Sequence, residues 1–333
     1  MRTIKLFGLF CLVTISLFGC GQKNAPKSGK VTIAVIPKGT IHEYWKTVHA
    51  GAEKAGNELD VNIIWKGPLK EDDRDAQIAV VEDFISRGVS GIVLAPLDNV
   101  SLQGPVRNAT RGGIPVVIFD SGLKGNDFAS YVATDNFKGG QIAGEQMVKL
   151  LGGKGNVAVL RYSEGSDSTT LRENGFLDAV SKAKGIKIVS SNQYAGVTTE
   201  SAYQAGENML SRFKGTALKP GIDGIFCATE PTAFGMLRAL QDANLAGKIK
   251  FIGFDSSEKL EQAMRNHQLD GVVVQNPMQI GYMGVKTMVA YLRTKNVPKR
   301  IDTGAKLITL ENIDSPEVKK LLHPDLGKWL KEK

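Results

Sequence analysis

Ile114-Pro-Val-Val-Ile-Phe-Asp120 is the stretch on which the fold turns. Its apolar part, residues 116–119, is rich in β-branched side chains, lacks the polar alternation of a half-solvated strand and runs straight into an aspartate. A strand apolar on both sides needs cover on both faces, as in a parallel sheet lying between helices. The pattern recurs outward in both directions. Short apolar runs lie at 31–36, 61–65, 91–95, 157–160, 186–190, 224–227, 251–254 and 271–274. Between them come helical patterns such as 44–59, 76–86, 137–151, 170–184, 201–213, 232–243 and 280–292. Strand alternating with helix predicts βαβ units and an α/β fold. One sheet of nine or more strands is possible, but two sheets suit 333 residues better. A boundary falls near Thr134 and Asp135, after the short run 131–133.

The N-terminus is of a different kind. Arg2 and Lys5 precede a mostly apolar run at 6–18, too short to span a bilayer as a mature helix, so it reads as a secretory signal. The run ends Leu17-Phe18-Gly19-Cys20, which resembles the lipobox of bacterial lipoproteins, although Phe18 is bulkier than the usual residue there. That resemblance implies cleavage after residue 19, acylation of Cys20 and a polar tether over 20–29; the alternative is a plain signal peptide with an incidental cysteine.

Charge and cysteine usage exclude several classes. The 42 Lys and Arg against 34 Asp and Glu give +8, which falls to +6 once residues 1–19, holding Arg2 and Lys5 and no acid, are removed. With export and no basic run, a nucleic-acid partner is not expected. Cys11, Cys20 and Cys227 form no CxxC pair and there are four His, so neither a disulfide scaffold nor a zinc site is expected. His42-Glu43 has its next histidine seven residues on, at His49, and no metal pair follows. Gly152-Gly-Lys-Gly155 lacks the Ser or Thr of a P-loop. Glu71-Asp72-Asp73-Arg74-Asp75 reads as a solvated acidic start to a helix, and Cys227 as a buried thiol. With 42% hydrophobic and 23% charged residues, disorder and a multispan membrane protein are also excluded.

Ligands of open α/β sheets bind beyond the carboxyl ends of the strands. There this chain places Lys38, His42, Glu43, Tyr44 and Trp45; Asp98 and Asn99; Asp120 and Ser121; Arg161 and Tyr162; Thr229 and Glu230; Asp255; and Gln275 and Asn276. Planar polar groups with aromatics suit a polyhydroxylated ligand. Each hydroxyl donates and accepts, so carboxylate, guanidinium and amide groups grip neighbouring hydroxyls while rings cover the C–H faces.

The residues also carry a family resemblance. The opening stretch, Ala133-Thr-Asp-Asn-Phe-Lys-Gly-Gly140, Arg172-Glu-Asn-Gly-Phe176, Phe251-Ile-Gly-Phe-Asp255 and Gln275-Asn-Pro-Met-Gln-Ile-Gly281 together look like the periplasmic sugar-binding proteins of ABC importers, in their ribose-binding-like branch. The likeness runs from about 31 to about 308. It implies the type I fold, two doubly wound parallel-sheet lobes joined by three hinge strands, with lobes at 30–134 plus 276–303 and at 135–275 plus 304–333. It implies ligand contacts from Tyr44, Trp45, Asp120, Arg172, Asp255 and Gln275, with Lys38, His42, Ser121, Thr229, Glu230 and Asn276 as further candidates.

Departures from the ribose binders bear on the ligand. His42-Glu43 stands for Asn-Pro, Lys38 for a small polar residue, Ser121 for an arginine, Thr229-Glu230-Pro231 for an Asn-Asp pair and Val197 for an aromatic. They count against ribose itself, and Lys38 leaves room for an acidic or phosphorylated sugar beside a neutral one. The function implied is a lipid-anchored, extracytoplasmic, monomeric protein that hands a carbohydrate to an ABC permease, without cofactor or metal. The alternative is a ligand-sensing receptor subunit. No nucleophile elbow, paired carboxylate motif or metal motif supports an enzyme.

Overall fold

Strand and helix alternate along the chain as β1 (Thr32–Ile36), α1 (Glu43–Leu59), β2 (Asn62–Trp65), α2 (Arg74–Arg87), β3 (Gly91–Leu94), α3 (Gln103–Arg111), β4 (Val116–Phe119) and β5 (Ser130–Ala133). There follow α4 (Asn136–Leu150), β6 (Lys154–Arg161), α5 (Asp167–Ser181), β7 (Gly185–Tyr194), α6 (Thr199–Arg212), β8 (Gly224–Cys227), α7 (Glu230–Asp242), β9 (Lys250–Phe254), α8 (Glu258–Arg265) and β10 (Gly271–Gln275). The chain closes with α9 (Pro277–Thr294), β11 (Arg300–Asp302), β12 (Ala305–Ile308) and α10 (Pro316–Leu322). This computed structural model describes residues 29–213 and 221–330. Residues 1–19 and Cys20, read above as the export signal and the acylated cysteine, lie outside the described residues, as do 214–220 and 331–333.

Two six-stranded sheets result, ordered β11-β5-β4-β3-β1-β2 and β12-β10-β9-β8-β6-β7. Every pairing is parallel except that of β12 with β10. The chain is thus wound twice in the same way. In each sheet the winding reverses at one gap, β1/β3 and β6/β8, where a crevice opens at the carboxyl ends of the strands.

Successive side chains of a strand point to opposite faces, and here both faces are dry. Ile33, Val35, Val93, Val117 and Phe119 join one cluster with Val48 and Ala52 of α1 and Val285 and Met288 of α9. Their neighbours Ala34, Ile36, Ile92, Leu94, Val116 and Ile118 join another with Val81 and Phe84 of α2 and Val106 and Ala109 of α3. The missing polar alternation in 116–119 therefore has its cause in double coverage. The second sheet repeats the arrangement, with α4 and α5 on one face and α6, α7 and α8 on the other. Cys227 on β8 is fully buried, and burial pushes its thiol up from the ordinary range.

Three crossings link the sheets: after β5 into α4, after β10 into α9, which packs on the first sheet, and from β11 into β12. Thr134 meets all three. Its hydroxyl lies 3.1 Å from Gln275 Oε1, 3.1 Å from the Gly304 carbonyl and 3.4 Å from Thr303 Oγ1, so its one proton serves either of the first two. The short strands β11 and β12, absent from the apolar runs, complete the sheets at this point. Their half-exposed three- and four-residue lengths leave no hydrophobic signal.

Candidate functional site

Asp120 and Asp255 are the first residues beyond β4 and β9, and both take the left-handed backbone conformation, each at φ 62°. That conformation is costly for most side chains and tolerated by aspartate. Each backbone N–H continues the pairing with the adjacent strand, Asp120 to the Val132 carbonyl at 2.9 Å and Asp255 to the Val273 carbonyl at 2.8 Å. With the backbone pinned, both carboxylates line one cavity between the sheets.

Arg172 enters the same cavity from α5. It is seated by a helix contact so close that a methyl group on Gly140 of α4 would run into the Arg172 carbonyl, and one on Gly175 into the Phe137 carbonyl. The guanidinium donates to Asn136 Oδ1 at 2.8 Å, to the Ala228 carbonyl at 3.0 Å and to Asp255 Oδ2 at 3.4 Å, and it lies 3.9 Å above the Phe254 ring. Gln275 Nε2 donates to the other Asp255 oxygen at 2.9 Å. On the opposite side Tyr44 donates its hydroxyl to Asp120 Oδ1 at 2.5 Å. Its ring meets that of Trp45 edge to face at 5.1 Å, and Trp45 also packs on Phe119.

Burial governs the electrostatics. It raises Asp255 to about 6, against the pull of Arg172 and the Gln275 hydrogen bond. Burial likewise raises Asp120, opposed by Lys38 and Tyr44, and raises Glu230. Desolvation and the neighbouring Asp120 push the Tyr44 phenol well up, so it stays a donor at neutral pH.

All six principal candidates, Tyr44, Trp45, Asp120, Arg172, Asp255 and Gln275, line this one cavity, as do Lys38, His42, Thr229 and Glu230. Ser121 and Asn276 are not among the residues that line it. The Ser121 hydroxyl accepts from the Ser168 N–H at 3.1 Å, and the Asn276 side chain caps α9 by accepting from Gln279 N–H at 3.0 Å. Lys38 also differs from expectation. Its buried ammonium donates to Ser166 Oγ at 3.1 Å and Ser168 Oγ at 3.0 Å and faces Asp120 Oδ2 at 3.9 Å. Two of the ammonium's three donors are thus taken by the serine hydroxyls, and its charge faces the Asp120 carboxylate beyond hydrogen-bond distance.

Glu71 was missed. It sits one turn ahead of α2, where Asp73 caps the helix by accepting from the Ala76 N–H, and it looks like part of that acidic start. Instead Glu71 Oε1 accepts from the Trp45 indole at 2.8 Å inside the cavity. The signal available was its place in the loop beyond a strand's carboxyl end. Tyr162, Ser168, Thr169, Ser256 and Ser257 complete the polar wall. Counting the open space at its mouth, the cavity holds about 630 Å³.

Comparison with known proteins gives the family and agrees with the fold. Residues 33–296 match the family model described as a periplasmic binding protein domain. The D-allose-binding periplasmic protein of Escherichia coli (strain K12) is 31% identical over 264 residues, covering 77% of this chain and 83% of that protein. A solved carbohydrate transporter solute binding protein from Agrobacterium radiobacter, in complex with D-arabinose, has a TM-score of 0.82 and 32% identity over 89% of this chain and 100% of its own. A solved ABC transporter solute binding protein from Agrobacterium vitis, with bound D-fucose, has a TM-score of 0.82 and 35% identity over 88% of this chain and 100% of its own.

Proposed function

Because the chain belongs to the periplasmic binding protein family, we propose that it is the sugar-binding component of an ABC importer, capturing one monosaccharide-sized polyol between its two sheets. The observation that carries this reading is the convergence of Asp120, Asp255, Arg172, Gln275 and Tyr44 on one cavity. Carboxylates accept from sugar hydroxyls, the guanidinium and amide donate to them, and the Tyr44 and Trp45 rings cover the C–H face. Hydrogen bonds to charged groups contribute about 1.5 to 3 kcal/mol each, so a handful outweighs the ordering cost of micromolar binding, which needs about 8 kcal/mol net.

Each sheet with its helices acts as a lobe, at 30–134 plus 276–303 and at 135–275 plus 304–330. The crossings around Thr134, Gln275 and Gly304 act as the hinge. Closure buries the ligand, and the permease reads the closed shape. Lys38, which reaches from beyond β1 to Ser166 and Ser168 ahead of and within α5, supports a latch across the cleft. The protein acts as a monomer, exported and held at the membrane through acylated Cys20. One acyl chain anchors only marginally, so more than one is attached.

The test is a thermal-shift panel of neutral pentoses, hexoses and their deoxy forms against the purified protein. At least one sugar should raise the melting temperature in a saturable manner. A flat response across the panel would overturn the reading, and conversion of any sugar to product would replace it with an enzymatic one.

A further inference from the structure

Three carboxylates of the cavity lining take no part in the grip described above; Glu43 is exposed, and the other two are half-buried. Glu71 comes from the loop between β2 and α2, and Glu230 from the first turn of α7. The two permanent cations in the lining are already matched, Lys38 facing Asp120 at 3.9 Å and Arg172 facing Asp255 at 3.4 Å. Glu71 accepts from the neutral Trp45 indole and has His42 Nε2 at 3.9 Å. Glu230 feels His42 and Lys259, and the Lys259 ammonium lies 4.5 Å from the centre of the Phe234 ring.

A second observation points to a ligand at this end. Tyr162 is 2% exposed and lines the cavity, with its hydroxyl set against the Glu71 carboxylate in a contact that is not a well-directed hydrogen bond. Ser257 Oγ is set in the same way against Glu230, and His42 Nε2 has no partner within hydrogen-bond distance among the described residues. This end of the cavity therefore offers oxygen acceptors and an imidazole, and the lining carries four buried or half-buried carboxylates against Lys38 and Arg172.

We propose that Glu71 and Glu230, with the Tyr162 hydroxyl, form a specificity-determining end of the cavity that accepts a protonated amino group on the sugar and rejects a carboxylate or phosphate. The inference rests on the sugar-binding reading and narrows its substrate class to neutral and amino sugars. An ammonium brings three donors and one positive charge to two carboxylates that have no Lys or Arg as an ion-pair partner among the described residues. A neutral hydroxyl is served by the same acceptors. An acidic group would instead add a further negative charge to a desolvated, already acidic surface.

The experiment is titration calorimetry of the whole protein with two triads, D-glucose, D-glucosamine and D-glucuronate, and D-galactose, D-galactosamine and D-galacturonate. In at least one triad the amino sugar should bind as tightly as the neutral parent or more tightly, and the uronate at least about a hundredfold more weakly. Substituting Glu71→Gln and Glu230→Gln together should narrow the uronate discrimination by about tenfold or more. A uronate that binds like its parent, an amino sugar that is rejected, or discrimination unchanged in the double variant overturns the inference. Failure of all six sugars to bind overturns it too. A response to D-allose, D-fucose or D-arabinose in the same assay then separates this failure from failure of the sugar-binding reading.

Discussion

Asp120 and Asp255 stand in matching positions of the two sheets, each one residue past a strand, each at φ 62°, and each presenting its carboxylate to the same cavity. One holds Tyr44 and Lys38, the other Arg172 and Gln275. The two-fold repeat of the winding thus becomes a two-sided grip. Asparagine tolerates the same backbone conformation. Asp120→Asn and Asp255→Asn should therefore fold with the parent's circular dichroism spectrum, while sugar affinity measured by calorimetry falls about ten- to a hundredfold.

Acid should weaken binding through Asp255. Burial raises this carboxyl to about 6, so the folded, ligand-free protein holds the proton more tightly than the unfolded chain does. Its contribution to ligand-free stability is thus fully present below the ordinary carboxylate range and is lost as pH rises through about 6. Sugar hydroxyls donate to the ionised form, so binding runs the other way and must expel the proton at low pH. Affinity should fall by about tenfold between pH 7 and pH 5, and Asp255→Asn should flatten that slope. An affinity that rises on acidification in the parent would contradict the assignment.

Lys38 links the cleft's two sides through Ser166 and Ser168. Lys38→Met keeps the length of the side chain and removes its donors. The variant should release sugar faster in stopped-flow measurements, by about tenfold, the loss of one or two hydrogen bonds to a charged group. An unchanged release rate would exclude a latching role.

The backbone contact between α4 and α5 predicts a stability effect outside the cavity. A methyl group at Gly140 meets the Arg172 carbonyl, an atom that cannot rotate away. Gly140→Ala should cost about 1 to 3 kcal/mol or more in denaturant unfolding and weaken sugar binding as Arg172 shifts. The ordinary gain in helix propensity from Gly to Ala, about 1 kcal/mol, would dominate only if the helices lay further apart.

Much of this was legible in the chain itself, for reasons that can be named. The runs that became β4 and β9 lack polar alternation because both their faces are covered, and the aspartates that end them mark the sheet edge where ligands sit. The limits are equally physical. β11 and β12 are too short and too exposed to register as apolar runs. Ser121 and Asn276 follow strands as ligand residues do, yet a neighbouring N–H claims each side chain. Glu71 belongs to an acidic run that mimics a helix start, and only the fold reveals that it turns inward to the Trp45 indole. Lys38 left room for an acidic sugar beside a neutral one, and only the fold shows its ammonium hydrogen-bonded to Ser166 and Ser168 and facing Asp120.

The most direct test of the central claim is titration calorimetry of the parent and of an Asp120→Ala, Asp255→Ala double variant with D-allose, D-fucose and D-arabinose. The parent should bind at least one of these sugars at one molecule per chain with a Kd of about a micromolar or tighter, and the variant should give no measurable heat. Equal binding by the variant, or no binding of any of the three by the parent, would contradict a sugar site built on these two carboxylates.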